Sequence, residues 1–250
     1  MRHLFSFEGL FCLRHLAMTP SALIFDFDGT LAPIVSHHQD AEVPEQTAAQ
    51  LQALSRLWPV AIVTGRSVEN VKKKLGFTPD FLFGNHGAES ADQPAARHLN
   101  EKLNACRKYL FAHAPLLAAR KVSVEDKGLS LALHYRQSDN PEGIRAWLHE
   151  LMGSVSKDFI LSDGHMVMNI LLIHAPDKGD ALQAILQASG VTNALVVGDD
   201  ENDEAAFAKA PKQAVTVRIG PPGVYSRARF RLSGQYQISA LLTILLNLKI

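Results

Sequence analysis

The sequence predicts an α/β fold, a Rossmann-like parallel-sheet core with an inserted α+β cap domain. Three observations predict it. Short apolar runs alternate with helix-patterned stretches over residues 20–95, strands of alternating polarity replace them over 96–175, and the first pattern returns over 176–250. Alternation of the first kind marks a parallel sheet covered by helices on both faces. Alternation of the second kind marks antiparallel strands with one wet face.

In the first core segment, Ala22–Phe27 reads as a strand, Pro44–Leu57 as a helix with proline in its first turn, and Val60–Val63 as a second buried strand. Ser67 is placed to cap a helix over Val68–Leu75, and Phe81–Phe83 is a third strand. Ala91-Asp92-Gln93-Pro94 reads as a linker. In the cap segment, helices are expected over Leu99–His113 and Glu142–Leu151, and strands over Lys121–Glu125, Leu129–Tyr135, Phe159–Leu161 and Val167–Ile173. The second core segment opens with a helix over Lys178–Ser189 that stops at Gly190. A strand over Ala194–Val197, a helix over Glu201–Lys209, a strand over Ala214–Val217 and a C-terminal helix over Gln237–Leu248 follow. Residues 1–19 precede the first strand and are expected to be an N-terminal extension, of which 1–17 is dispensable. The alternating Arg227, Arg229 and Arg231 fit an edge strand guarded against pairing.

Composition narrows the function classes. Lys+Arg and Asp+Glu are both 25, so the formal net charge is zero, without the basic excess of a nucleic-acid binder. Cys12 and Cys106 are too few and too far apart for a disulfide framework and fit a reducing, cytoplasmic setting. The apolar stretch from Ile238 to Leu248 is too short to span a bilayer. His37 and His38 lack a zinc-like partner spacing and read as surface residues.

The chemistry concentrates where predicted strands end, which in open α/β sheets is where ligands bind. Asp26 and Asp28 stand two residues apart after an apolar run; in extended chain both would point to one small volume and repel unless a cation lies between them. Thr64 offers a hydroxyl, the N–H groups around Gly65 lie near a helix start that suits an anion, and Lys178 brings a point charge. Asp199, with Asp200 and Asp203, completes the set. Hard oxygen ligands suit Mg²⁺, and Asp26 and Asp199 can supply them; the assembly as a whole fits phosphoryl transfer.

These stretches resemble the four motifs of the haloacid dehalogenase superfamily of phosphatases. They are Asp26-Phe27-Asp28-Gly29-Thr30, Thr64-Gly65-Arg66, Lys178-Gly179, and Gly198-Asp199-Asp200-Glu201-Asn202-Asp203-Glu204. The chain is closer still to trehalose-6-phosphate phosphatases. That resemblance rests on His86-Gly87-Ala88-Glu89, on Glu125-Asp126-Lys127-Gly128 and on His134-Tyr135-Arg136.

The resemblance implies that Asp26 attacks phosphorus and that Asp28 protonates the leaving oxygen and later activates water. It also implies that Mg²⁺ is held by Asp26, the backbone carbonyl of Asp28, and Asp199, with Asp200 and Asp203 in direct or supporting contact. Thr64 and Lys178 would hold phosphoryl oxygens, with Gly65 beside them. Among the substrate residues, Glu125 and Lys127 are suited to sugar hydroxyls, and Arg136 to the phosphate or to bracing the cap hairpin. His86 either touches substrate or braces its loop, and Arg66 either supports substrate or caps the sheet edge. The chain departs from the family at one point: Ile170 stands eight residues before Lys178, where the family carries a Glu, and Asn169 stands nine before. The expected substrate is a sugar phosphate, trehalose 6-phosphate first, with sucrose-phosphate, mannosyl-phosphoglycerate or a hexose phosphate as alternatives and coupling to a sugar-phosphate synthase. A phosphosugar-binding module without turnover would not need both carboxylates of the first motif.

Overall fold

The computed structural model describes residues 1–250 except 36, 37, 93–96, 154, 155, 165 and 250, and the side chains of 38, 97–100, 102 and 156 are also outside the description. The assignments of His37 and His38 to the surface and of Gln93 and Pro94 to a linker therefore lie outside the described residues. Two compact units emerge, one formed by Met1–Ala91 with Pro176–Ile250 and the other by Asp92–Ala175.

In chain order, the first unit begins with β1 (Arg2–His3), α1 (Phe7–Ala17), β2 (Ser21–Phe25), α2 (Glu45–Leu54), β3 (Val60–Val63), α3 (Val68–Lys72), β4 (Phe81–Gly84) and β5 (Glu89–Ser90). The second unit holds α4 (Arg97–Ala112), α5 (Ala114–Ala119), β6 (Ser123–Asp126), β7 (Leu131–His134), α6 (Pro141–Gly153), β8 (Phe159–Gly164) and β9 (Val167–Leu172). The first unit then resumes with α7 (Lys178–Ser189), β10 (Asn193–Gly198), α8 (Glu204–Lys209), β11 (Val215–Ile219), β12 (Phe230–Leu232) and α9 (Ile238–Asn247).

The core sheet has eight strands in the order β1-β12-β11-β10-β2-β3-β4-β5, parallel except for the β4–β5 pair. Every residue of β2, β3 and β10 is buried, as a doubly covered parallel sheet requires. Alternate side chains feed two cores. Leu23 and Phe25 join Leu13, Leu51 and Leu241 on one face, while Ala22 and Ile24 join Leu182, Ile185 and Phe207 on the other. Strand order reverses around β2, so the carboxyl ends of β2, β3 and β10 meet at a switch point.

Two expectations about the sheet's border need correction. Residues 1–17 are not an appendage: β1 pairs with β12, and Leu4, Leu13 and Leu16 are each 0% exposed within the first core. Ser6 caps α1 through the Gly9 N–H, and the helix buries its Leu13 and Leu16 side while Phe7 and Phe11 face outward. In consequence β12, which carries Arg231, is not the edge strand; β1 covers it.

The second unit is a four-stranded antiparallel sheet, β6-β7-β9-β8. Leu131, Leu133, Met168, Ile170 and Leu172 from one face pack with Leu103, Cys106 and Leu110 of α4 and Leu148 and Met152 of α6. Glu125, Ala132, Asn169 and Ser162 are register partners in a single row of the same sheet.

Candidate active site

The site residues of the first unit arise where three buried strands stop. Strand β2 ends at Phe25, and the next N–H, of Asp26, still donates to the Val197 carbonyl. The chain then folds tightly: the N–H groups of Leu31 and Ala32 both donate to the Phe27 carbonyl, and Gly29 adopts a positive φ of 71°. A Cβ on Gly29 would collide with Asp199 Oδ2, so glycine is required there twice over, by backbone and by space.

Asp26 is buried, and its Oδ1 accepts from Lys178 Nζ at 2.8 Å. The same ammonium donates to Asp203 Oδ1 at 2.7 Å. Asp203 Oδ2 in turn accepts the N–H groups of Asp199 and Asp200 at 2.9 and 3.0 Å, tying the loop after β10 to the lysine. Lys178 stands at the first position of α7, whose cap Asp177 forms a reciprocal capping box with Asp180. Ligand oxygens of Asp26, Asp199 and Asp203 all lie within 4.8 Å of one another.

Electrostatics match this crowding. Burial is the largest cause pushing the Asp26 carboxyl up to about 7; Lys178 opposes it, while Asp203 and Asp28 add to it. Asp199 is likewise held well above the usual carboxylate range, by burial first and then by Asp26, Asp203 and Asp200. Burial works against the Lys178 charge, but Asp203 and Asp26 outweigh it and hold the ammonium above the ordinary lysine range. Three carboxylates around one ammonium leave negative charge unmet, which is the electrostatic setting a divalent cation stabilises.

The second carboxylate of the first motif is elsewhere engaged. Strand geometry ends at Phe25, and Asp28 is bound in a two-pronged pair by Arg66, Nε to Oδ2 at 2.8 Å and Nη2 to Oδ1 at 2.6 Å, while its charge still acts on Asp26. The Asp28 side chain is 45% exposed, against 7% for Asp26. Asp200 is not among the three clustered carboxylates. Its Oδ1 caps the short 3-10 turn over Glu201–Asp203 through the Glu201 N–H at 2.7 Å.

Thr64 follows β3 and is fully buried; its N–H donates to the Phe83 carbonyl and its Oγ1 accepts the Arg66 N–H at 3.1 Å. Gly65 lies against the ring of His86, where a Cβ would come within 2.6 Å of Cε1. Asn85 and His86 both take positive φ, 49° and 59°, and their N–H groups donate back to the Arg66 and Thr64 carbonyls. Two bulky residues in the left-handed region in succession are costly, and the surrounding bonds must hold them there. Glu89 supplies part of that hold: its Oε2 accepts Asn85 Nδ2 at 2.7 Å and the Val68 N–H at the start of α3 at 3.0 Å. The His86 ring is buried beside Gly65.

Glu125, Lys127 and Arg136 belong to the second unit. Glu125 on β6 pairs with His134 on β7 at 2.8 Å, and Lys127 opens the turn to β7, its N–H donating to the Ser130 carbonyl. Arg136 lies two residues beyond the end of β7. Sequence reasoning passed over Thr30, whose hydroxyl reaches Asp199 Oδ1 at 3.4 Å, and Asn70, which accepts from Arg66 Nη1 at 3.0 Å. Asn70 lies four residues after Arg66 at the start of a helix, and that spacing was the available signal.

Residues 24–227 match the trehalose-phosphatase family. The chain belongs to that family. Its members are phosphoric monoester hydrolases of the haloacid dehalogenase superfamily. The chain is 31% identical over 217 residues to a probable trehalose-phosphate phosphatase of Sinorhizobium fredii, covering 83% of this chain and 80% of that one. It is 30% identical over 223 residues to trehalose-6-phosphate phosphatase of Escherichia coli, covering 85% and 82%. Other relatives are longer, and the chain spans as little as 18% of their length. In fold it superposes on the C-terminal domain of Candida albicans trehalose-6-phosphate phosphatase with a TM-score of 0.80 at 21% identity, covering 95% of this chain and 96% of that domain. No helix among the described residues is long and apolar enough to cross a membrane.

Proposed function

We propose that this chain is a Mg²⁺-dependent phosphatase of a sugar phosphate monoester, with trehalose 6-phosphate as first substrate and trehalose and phosphate as products. The observation that carries the reading is the buried assembly of Asp26, Lys178, Asp203 and Asp199, in a chain of the trehalose-phosphatase family. The donor set fits Mg²⁺: all ligand atoms are hard oxygens, and the charge of three carboxylates exceeds that of the single lysine. Asp26 and Asp199 would hold the ion with the Asp28 carbonyl, because both Asp203 oxygens are committed to Lys178 and to backbone N–H groups. Asp200 and Asp203 support that site. When bound, the ion neutralises charge on the phosphoryl oxygens and keeps Asp26 ionised.

Asp26 attacks phosphorus, and the bond from phosphorus to the sugar oxygen breaks as Asp28 gives that oxygen its proton. Asp28 then takes a proton from a water whose oxygen bonds to phosphorus as the bond from phosphorus to Asp26 breaks, which frees phosphate and regenerates the Asp26 carboxylate. Lys178 and the Thr64 hydroxyl, with the Gly65 N–H, hold the equatorial oxygens, where charge is greatest. Glu125, Lys127 and Arg136 select the sugar phosphate, and His86 keeps the Gly65 loop in place. Ile170 and Asn169, where the family carries a carboxylate, favour a second reading in which the preferred sugar differs. A synthase making the same sugar phosphate would supply the substrate.

A phosphate-release assay over a panel of sugar phosphates, with and without Mg²⁺, tests both readings. Trehalose 6-phosphate is expected to rank first by kcat/KM, and comparable rates on simple hexose phosphates would defeat that choice. Asp26→Asn is expected to abolish turnover with an unchanged fold, whereas an active variant would overturn the nucleophile.

A further inference from the structure

The geometry points to Arg66 as a positioning residue for Asp28: it fixes the carboxylate that handles the proton and does not hold the phosphoryl group. This inference rests on the phosphatase reading and deepens it.

Two contacts fix the guanidinium before it meets Asp28, and a third fixes the Arg66 backbone. The guanidinium lies over the Phe27 ring at 5.0 Å, between the two aspartates of the first motif. Its Nη1 donates to Asn70 Oδ1 at 3.0 Å, and Asn70 is itself tied by its N–H to Ser67 Oγ, the cap of α3. The Arg66 N–H donates to Thr64 Oγ1. Burial does the rest, since only 7% of the Arg66 side chain is exposed. The remaining fork, Nε and Nη2, closes on both oxygens of Asp28 at 2.8 and 2.6 Å. A two-pronged pair of this kind sets the plane of a carboxylate as well as its place.

Asp28 needs such a holder. It follows the end of β2 in a tight turn, and both of its carboxylate oxygens accept from Arg66. Proton transfer demands a heavy-atom reach of about 2.6–3.2 Å to the leaving oxygen. A half-exposed aspartate free to rotate would meet that condition only part of the time. Lys178, in contrast, already stands on the nucleophile with its charge directed there. The two cations of the site therefore serve different carboxylates, Lys178 the one that attacks and Arg66 the one that moves protons.

The test compares wild type, Arg66→Met, Arg66→Lys and Asn70→Ala in Mg²⁺, using the best substrate from the sugar-phosphate panel and inorganic phosphate as a product inhibitor. For Arg66→Met, kcat is expected to fall about 10- to 100-fold, while KM and the inhibition constant of phosphate stay within about threefold. Arg66→Lys, which keeps the charge but not the fork, is expected to recover little, and Asn70→Ala to show a smaller loss in the same direction. In an Asp28→Asn background, Arg66→Met is expected to change kcat by less than about threefold, since the group it positions is gone. A tenfold or greater weakening of phosphate inhibition would overturn the inference, as would losses that multiply in the double variant, because either places Arg66 on the phosphoryl group. A melting temperature for Asn70→Ala equal to wild type, with unchanged kcat, would also overturn it. Failure of wild type to release phosphate from any member of the panel would instead reject the phosphatase reading itself.

Discussion

Truncating the N-terminal leucines measures what the first seventeen residues contribute. Leu13 and Leu16 are one helical turn apart on α1, both 0% exposed, and they pack in the same cluster as Leu4, Phe25, Leu195 and Val217. Leu→Ala at a site of this kind costs about 2–5 kcal/mol, from lost transfer energy and the cavity left behind. Because the two sites share neighbours, the double variant is expected to lose about 4–8 kcal/mol, a large part of the roughly 5–15 kcal/mol that holds a domain folded. At a urea m-value of roughly 2–3 kcal/mol/M, a single 3 kcal/mol loss moves the midpoint down by about 1–1.5 M. Trp58 is buried in the same cluster, so its fluorescence follows the unfolding of this unit. Deleting 1–17 removes Leu4 as well, together with β1, and is expected to give a chain that does not refold. A Leu16→Ala variant within about 0.5 kcal/mol of wild type, a value normal for surface positions, would refute the placement of α1 in the core. A deletion variant with native stability would refute it as well.

Three further outcomes are expected. Mg²⁺ should raise the melting temperature in differential scanning fluorimetry, by the equivalent of about 2.7 kcal/mol at a hundredfold excess over its dissociation constant, and Asp199→Ala should abolish the rise. Gly29→Ala should cost about 1–2 kcal/mol for its left-handed backbone and should weaken Mg²⁺ binding, measured by titration of the thermal shift, because the new methyl displaces Asp199. Cys106 is fully buried, and burial pushes its thiol from 9.0 up to about 11, with Arg107 opposing. The neutral thiol is thus favoured by the fold: its contribution is complete below pH 9 and is lost as pH rises from there towards 11. The loss is about 2–3 kcal/mol at most. Urea denaturation of Cys106→Val should show a flatter decline over that range than wild type, and parallel curves would reject the assignment.

Much of the frame was legible because it obeys local rules. Helix α7 and strand β3 fall where the pattern put them, since Gly190 stops the one and Pro59 and Thr64 bound the other. The N-terminal segment was misread because Phe7, Leu10 and Phe11 share the helix with Leu13 and Leu16 and blur its apolar stripe. Only the tertiary structure distinguishes the buried side from the exposed one. Neither the Arg66 fork, 38 residues from Asp28, nor the cover that β1 places over β12 comes from neighbouring sequence.

The great sheet is bounded by stubs. Its outermost members, Arg2–His3 on one flank and Glu89–Ser90 on the other, are two residues long. A foreign chain seeking to zip onto either flank finds almost no ladder of idle amides to grip, a safeguard against aggregation. Loss of the leading few amino acids would remove one stopper and bare Phe230–Leu232 beneath it, so clipping at the start of the chain should leave the protein prone to clump as well as less stable.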